Sequence, residues 1–347
     1  MRVGFYTKYT HCDQAYLCQR LVNLLRQLGL EFDIYSDATA GKFGPPYDCA
    51  VVTKSIIKFT QWVKKQDAVI WTHVPKVEQL SFAARANKLT VVAPMWQELQ
   101  PPFKKALRRA DVVVAFSAEC AELYRDEYRL RNVVHLPYDT GLPITKKLSK
   151  VNSRCVKIFL PWFDRYAKCA SSSFLTFVNH MFINMPDAQL TAGVTSSRFS
   201  PAIAKFFNNL SHKTNGRVQL VRNVSIAQRT LLFSEHDLTL NPAECDNYGF
   251  CGLTSINCGT PVLSFALSPQ IDFIRPDVNG VLVKTKTNYD LNGVPFADPD
   301  YARLFAVLQV LIAEPEHIDA LNKSVTHNLS ARRKAFEEGW QGILQLN

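Results

Sequence analysis

The stretch NPAECDNYGFCGLTSINCGTPVLSF, residues 241–265, brings acids, small residues, three cysteines and a Cys-Gly-Thr-Pro-Val segment into one run. A metal site, a redox site and a cradle for a phosphorylated ligand all compete for it. Cys245, Cys251 and Cys258 lie six and seven apart with no histidine closer than His236, which is poor spacing for zinc. The chain's nine cysteines are odd in number, scattered and free of any C-x-x-C pair, so they read as reduced, mostly buried thiols. The phosphate reading has a mechanism. Asn241 and Pro242 close a strand, Tyr248-Gly249-Phe250 makes a tight turn, and a helix starting near Gly252 turns its unpaired N–H groups and positive dipole end toward a ligand. A carboxylate beside that turn, Asp246, is placed to grip sugar hydroxyls.

Outward from this run, short β-rich segments alternate with helical patterns. Strands are expected at Arg2–Tyr6, Glu31–Tyr35, Cys49–Thr53, Ala68–Trp71, Thr90–Ala93, Val112–Phe116 and Val133–Leu136. A first helix is expected from an N-cap at Asp13 to Gly29, with Leu17, Leu21, Leu24, Leu25 and Leu28 at helical spacing. After the polar stretch Pro137–Lys150 the rhythm restarts, with strands at Lys157–Leu160, Gln189–Ala192, Val218–Leu220, Leu238–Leu240, Pro261–Phe265 and Gly280–Val283. Repeated strand–helix units build parallel sheets covered on both faces. The expected class is therefore α/β, with two facing Rossmann-like, doubly wound parallel-sheet domains. Residues 1–150 form the first, with a linker from about residue 137, and 151–325 the second; a terminal helix within 326–347 returns to brace the first. Doubly wound halves facing one another predict a ligand between them, at the carboxyl ends of the strands.

Hydrophobic residues make up 47% of the 347-residue chain and charged ones 20%, an ordinary globular balance. No run approaches eighteen apolar residues, so no transmembrane segment is expected. The opening MRVGFY is strand-like rather than a signal peptide, which predicts a cytoplasmic protein. The net charge of +10 is uneven: residues 1–150 carry 22 Lys and Arg against 14 Asp and Glu, the remainder 18 against 16. A basic first half suggests an anionic partner, polynucleotide or acidic membrane surface, or simply a solvated surface.

The 241–265 run resembles the donor-binding signature of family-4 retaining glycosyltransferases with the GT-B fold. In that signature a proline, an acid four positions on, a glycine three beyond it, a second acid eight after the first and then CGTPV follow in order. Pro242, Asp246, Gly249 and Cys258–Val262 keep this register from both ends. Ala110–Ser117, Val133–Pro137, Pro186–Leu190 and Asp277–Val283 resemble further segments of the family, so the likeness spans nearly the whole chain. It implies transfer of a hexosyl or pentosyl group from a nucleotide-diphosphate sugar with retention by front-face attack. The leaving phosphate takes the acceptor's proton, and neither metal nor cofactor is needed beyond the donor itself. The resemblance places Glu244, Asp246, Asn247, Tyr248, Gly249, Phe250 and Thr254 at the donor, and His73 matches a histidine common after the preceding strand. It also implies a phosphate clamp, for which Arg165 and Lys168 are the candidates, although they are three apart where the family has five. Other departures are Thr254 in place of the second acid, the shorter Asp246 as the first, a missing glycine pair at Thr7–His11, and Met95-Trp96 where a histidine is usual.

Two more features bear on partners. Asp298-Pro299-Asp300 has metal-binding spacing, but it reads as a helix N-cap with Pro299 at the first helical position. Lys104, Lys105, Arg108 and Arg109 open a helix as two same-face pairs and are the acceptor-binding candidates, with His11 a further one. The acceptor expected first is a hydroxylated base in DNA, as in phage-type DNA modification, with the base extruded from the duplex and the enzyme in the host cytoplasm. The alternatives are a peripheral membrane enzyme of lipid-linked or surface glycan synthesis and a degenerate nucleotide-sugar or nucleic-acid binding module.

Overall fold

The structure is a computed structural model, and it describes residues 1–7, 13–36, 51–53, 56–95, 103–145, 155–161, 172–194, 201–222, 226–246, 248–290 and 293–345. The chain divides into two compact units. Unit 1 comprises Met1–Gly141, Tyr289–Val294 and Ala331–Asn347; unit 2 comprises Leu142–Asn288 and Pro295–Ser330.

Unit 1 is built on β1 (Arg2–Thr7), β2 (Glu31–Ser36), β3 (Val51–Thr53), β4 (Ala68–Trp71), β5 (Leu89–Val92), β6 (Val112–Ala115) and β7 (Val133–His135). They form one parallel sheet in the order β3-β2-β1-β4-β5-β6-β7. The connections carry α1 (Asp13–Gln27), α2 (Ile56–Lys64), α3 (Val77–Arg85), α4 (Phe103–Leu107) and α5 (Ala118–Asp126). Leu17, Leu21, Leu24 and Leu25 bury the inner face of α1, and Gly29 at φ 68° lets the chain reverse beyond it. Beside β1 the core is aromatic: Tyr6 stacks on Tyr35 at 5.2 Å between centroids, and Phe59 meets both rings edge-on at 5.6 Å.

Unit 2 contains β8 (Val156–Leu160), β9 (Ala188–Val194), β10 (Val218–Arg222), β11 (Leu238–Asn241), β12 (Val262–Phe265) and β13 (Gly280–Val283), parallel throughout in the order β10-β9-β8-β11-β12-β13. Its helices are α6 (Ser172–Asn184), α7 (Pro201–Lys213), α8 (Ile226–Glu235), α9 (Phe250–Asn257), α10 (Tyr301–Ala313) and α11 (Pro315–Ser324). Strand residues Ile158, Leu190, Leu240 and Leu263 share a core with Phe174, Met181, Leu304 and Leu308 of the helices. Both units show the doubly wound order, in which the chain leaves a central strand in one direction and later resumes on its other side. That reversal falls between β1 and β4 in unit 1 and between β8 and β11 in unit 2. It opens the carboxyl ends of those strands to a ligand.

The last helix, α12 (Leu329–Ile343), packs within unit 1 from Ala331 onward. Phe336 and Trp340 are fully buried, and Arg332 Nε donates to the Tyr138 carbonyl at 2.7 Å. Arg20, only 4% exposed, donates from Nε to Asp139 at 2.8 Å and from Nη2 to Glu337 at 2.7 Å, while Arg333 adds a second cation to Asp139. Each partner of the buried Arg20–Asp139 pair has a further charged neighbour, and removing either one would leave a charge buried without its counter-ion.

A hairpin of β14 (Lys286–Tyr289) and β15 (Pro295–Asp298) adds a small third sheet that the polar Lys-Thr-Asn-Tyr run concealed. Two local expectations are corrected. Asp300 caps α10 by accepting from Arg303 N at 2.9 Å, so Pro299 precedes the cap instead of opening the helix. The basic helix α4 is one short turn ending at Leu107. Ser117 Oγ caps α5 by accepting from Cys120 N at 3.1 Å and is 1% exposed. Ser117→Ala should therefore lower stability by about 1–2 kcal/mol; an unchanged urea midpoint would remove the cap from this account.

Candidate functional site

At the reversal of unit 2, β11 ends on Asn241, whose carbonyl accepts from Ser264 Oγ of the neighbouring β12 at 2.8 Å. The chain then turns outward. Glu244 is anchored at both ends: its carbonyl accepts from Ala297 N at 2.7 Å and its Oε1 from Tyr301 Oη at 3.0 Å. Asp246 follows, half-buried. Its Oδ1 accepts the Gly249 N–H at 3.0 Å and its Oδ2 accepts from Gln270 Nε2 at 2.9 Å. One carboxylate thus ties the turn before α9 to the loop after β12.

Gly249 sits at φ 70° and is the N-cap of α9, which starts at Phe250, two residues earlier than the sequence suggested. The left-handed cap is the reason: a glycine in that conformation reverses the chain, and helical geometry begins directly after it. No side chain caps this end. A Cβ on Gly249 would stand 2.3 Å from Phe273 Cε1, and one on Gly252 would stand 2.9 Å from the same ring. Both glycines are therefore needed for Phe273 to close against the first turn. Tyr248 and Phe250 are buried against this turn.

Polar atoms without partners gather on these same segments. Asn241 Nδ2, Thr254 Oγ1, Ser268 Oγ and Gln270 Oε1 are buried with no hydrogen-bond partner, on residues 5%, 2%, 1% and 1% exposed respectively. Buried polar groups are ordinarily satisfied. Thr254, the expected ribose contact, is on α9 and its hydroxyl is one of these atoms. The signature reading had no signal for Ser268 or Gln270, which come from the far side of β12.

Cys258 closes α9 among Phe159 and Phe233, and burial pushes its thiol up to about 12. Among the described residues no group of three or more His, Cys, Asp or Glu side chains could hold a metal ion. Burial keeps this thiol protonated and shielded from reagents at pH 8. Iodoacetamide should leave it intact in the native protein and label it after denaturation; native labelling would contradict the buried thiol.

In unit 1, His73 lies just beyond β4 at that sheet's reversal, 7% exposed, with its ring 5.1 Å from Tyr6. Next to it Thr72 Oγ1 donates to Thr7 Oγ1 at 2.7 Å. Three of the four basic residues also make contacts within unit 1. Lys104 Nζ stands 4.1 Å over the Tyr128 ring, Arg108 Nη2 donates to the Tyr128 carbonyl at 3.3 Å, and Arg109 Nη1 to Ser81 Oγ at 2.6 Å. Burial, with Asp290 and Cys120 nearby, holds the Tyr128 phenol up at about 12, so its ring stays neutral beneath the ammonium. Lys105 is exposed. His11, Arg165, Lys168 and Asn247 lie outside the described residues.

No protein-family model and no curated sequence matches the chain. Solved structures do. Sucrose-phosphate synthase from Thermosynechococcus elongatus aligns over 99% of this chain and 98% of its own at TM-score 0.74 and 14% identity. Anabaena HepE in complex with UDP-glucose covers 100% of both chains at 0.69 and 12%. The pneumococcal O-GlcNAc transferase GtfA in complex with UDP and GlcNAc covers 99% of both at 0.72 and 9%. At these identities the likeness is one of fold: the chain has the two-unit Rossmann-like GT-B fold.

Proposed function

We propose that this protein is a nucleotide-sugar-dependent glycosyltransferase that transfers with retention and without a metal or other cofactor. One observation carries the reading: at the carboxyl end of β11, where the sheet reverses, the Asp246 carboxylate joins the Gly249 N–H to Gln270, whose other amide atom is buried without a partner. Likeness to folds solved with UDP-glucose and with UDP and GlcNAc supports it.

In this mechanism the diphosphate lies against the amino end of α9, where backbone N–H groups and the helix dipole favour an anion. Asp246 accepts from hydroxyls of the sugar, and Thr254 meets the ribose as a neutral hydroxyl in place of an acid. Arg165 and Lys168 neutralise the charge that grows on the leaving diphosphate. The acceptor oxygen bonds to the anomeric carbon on the face the diphosphate leaves, the carbon–oxygen bond to phosphate breaks, and the acceptor's proton passes to the departing phosphate oxygen. Tyr248, Gly249 and Phe250 shape the donor turn, Glu244 is its outer brace, and Asn247 is a further donor contact.

Unit 1 receives the acceptor, and His73 serves it from the sheet reversal. The charge excess of residues 1–150 supports a polyanionic acceptor, a hydroxylated base of DNA ahead of an anionic membrane surface. Of the basic cluster, Lys105, Arg108 and Arg109 are exposed and would meet it, while Lys104 lies over the Tyr128 ring. That no helix among the described residues is long and apolar enough to cross a membrane is compatible with either acceptor.

The test is a thermal-shift screen across UDP-, GDP-, ADP- and CMP-sugars, followed by release of the nucleotide with acceptor present and the anomeric configuration of the product by NMR. One donor should bind and turn over with retention. Binding without turnover would favour a non-catalytic module, and no binding would remove the donor site. A salt titration against hydroxymethylated duplex and anionic liposomes decides the acceptor: steep salt-dependent loss of duplex affinity is expected, and no duplex affinity at low salt would exclude DNA.

A further inference from the structure

Gln270 opens the 3-10 turn Gln270–Asp272 that follows β12 and is 1% exposed. Its two amide atoms face different conditions. Nε2 donates to Asp246 Oδ2 at 2.9 Å, whereas Oε1 is buried with no hydrogen-bond partner. The amide cannot rotate to repair this, because turning it over would set its carbonyl oxygen against the carboxylate. A buried acceptor left unmatched costs about 1–3 kcal/mol. Such a cost persists where a donor from outside the chain meets the atom.

The same contact governs Asp246. With Oδ1 held by the Gly249 N–H and Oδ2 by Gln270, the orientation of the carboxylate plane is set from both sides. Ser268, two residues before Gln270 and 1% exposed, adds another buried hydroxyl without a partner.

We propose, resting on the transferase reading above, that Gln270 is a positioning residue for the transferred sugar. Its amide hydrogen sets the orientation of the Asp246 carboxylate, and its own carbonyl oxygen joins that carboxylate as a pair of acceptors for sugar hydroxyls. An all-acceptor pair of this kind takes neutral sugars and refuses sugars that carry a carboxylate, whose charge would face Asp246 in a confined space. The sequence places Gln270 and Asp246 24 residues apart. Only the return of β12 beside β11 brings them together.

The experiment uses the full chain and the nucleotide that the donor screen selects, in its glucose and glucuronate forms, with wild type, Gln270→Leu and Gln270→Glu. The wild type should use the glucose form at least about a hundredfold better than the glucuronate form. Gln270→Leu should lower kcat about tenfold or more while the Kd for the free nucleoside diphosphate stays within about twofold. Gln270→Glu places two carboxylates in contact, so one of them holds a proton to higher pH. Below that raised pKa the protonated group can donate across the pair and restore the contact; above it both are charged. The kcat ratio of this variant to wild type should therefore rise about tenfold from pH 8 to pH 5.5. A variant that merely misfolds would not recover on acidification, and the urea midpoint of each variant is measured alongside. Wild-type kcat in Gln270→Leu, a flat ratio in Gln270→Glu, or equal use of both sugars overturns this proposal alone. A wild type that turns over no donor overturns the transferase reading and this proposal with it.

Discussion

Asp246→Asn is expected to lower transfer roughly 10²- to 10³-fold, about 3–4 kcal/mol of barrier, while leaving the unfolding midpoint close to that of the wild type. The substitution preserves volume and one carbonyl oxygen, which can still accept the Gly249 N–H. It removes the negative charge and turns an NH₂ group toward the Gln270 amide, which must then shift or lose its partner. The stability lost is that of one hydrogen bond at a half-buried site, about 1 kcal/mol. The activation barrier should therefore change by about 2–3 kcal/mol more than the stability does. Single-turnover rates with the selected donor, set beside urea unfolding of the same sample, measure both. Wild-type turnover in this variant would take Asp246 out of the chemistry and return it to a purely architectural brace.

Gly249→Val is the second large effect, and here stability and donor binding should fall together. The position holds φ 70°, a conformation that a β-branched residue adopts only with strain, costing about 1–2 kcal/mol. A Cβ there would also lie 2.3 Å from Phe273 Cε1 and 3.3 Å from Pro269 Cγ. Relieving such overlap by moving a packed ring costs about 1–3 kcal/mol more. A total near 3 kcal/mol should shift the urea midpoint of unfolding by about 1–2 M. Because Phe273 closes on both Gly249 and Gly252, its displacement also moves the first turn of α9, and donor affinity should drop at least tenfold in whatever protein remains folded. A midpoint equal to wild type would mean that the turn has another conformation.

The sheets were legible because parallel strands buried on both faces leave apolar runs such as Val-Ile-Trp after Ala68 and Val-Leu-Ser-Phe at 262–265, separated by helical periods. The β14–β15 hairpin was not, since its exposed alternation of Lys, Thr, Asn and Tyr carries no such run. In the site, Asp246 and Gly249 could be read from fixed spacing within one loop. The start of α9 was misplaced because the two glycines, Gly249 and Gly252, look equivalent in sequence, and only the backbone distinguishes a left-handed cap from a helical position. Gln270 and Ser268 gave no signal at all: their relation to Asp246 is made by strand pairing, and neither residue type announces a ligand. The four basic residues at helical spacing gave no hint that Lys104 and Arg108 also reach the buried Tyr128, a partner 20 or more residues away.

The central claim is that a nucleotide sugar docks on unit 2 where Asp246, Gly249 and the first turn of α9 meet. Amide hydrogen exchange of the full chain, with and without saturating donor, reads that place directly. The account predicts that peptides spanning residues 246–253 and 266–273 exchange about tenfold more slowly when donor is bound. Donor turnover accompanied by unchanged exchange throughout residues 241–275, with protection arising only elsewhere in the chain, would contradict it.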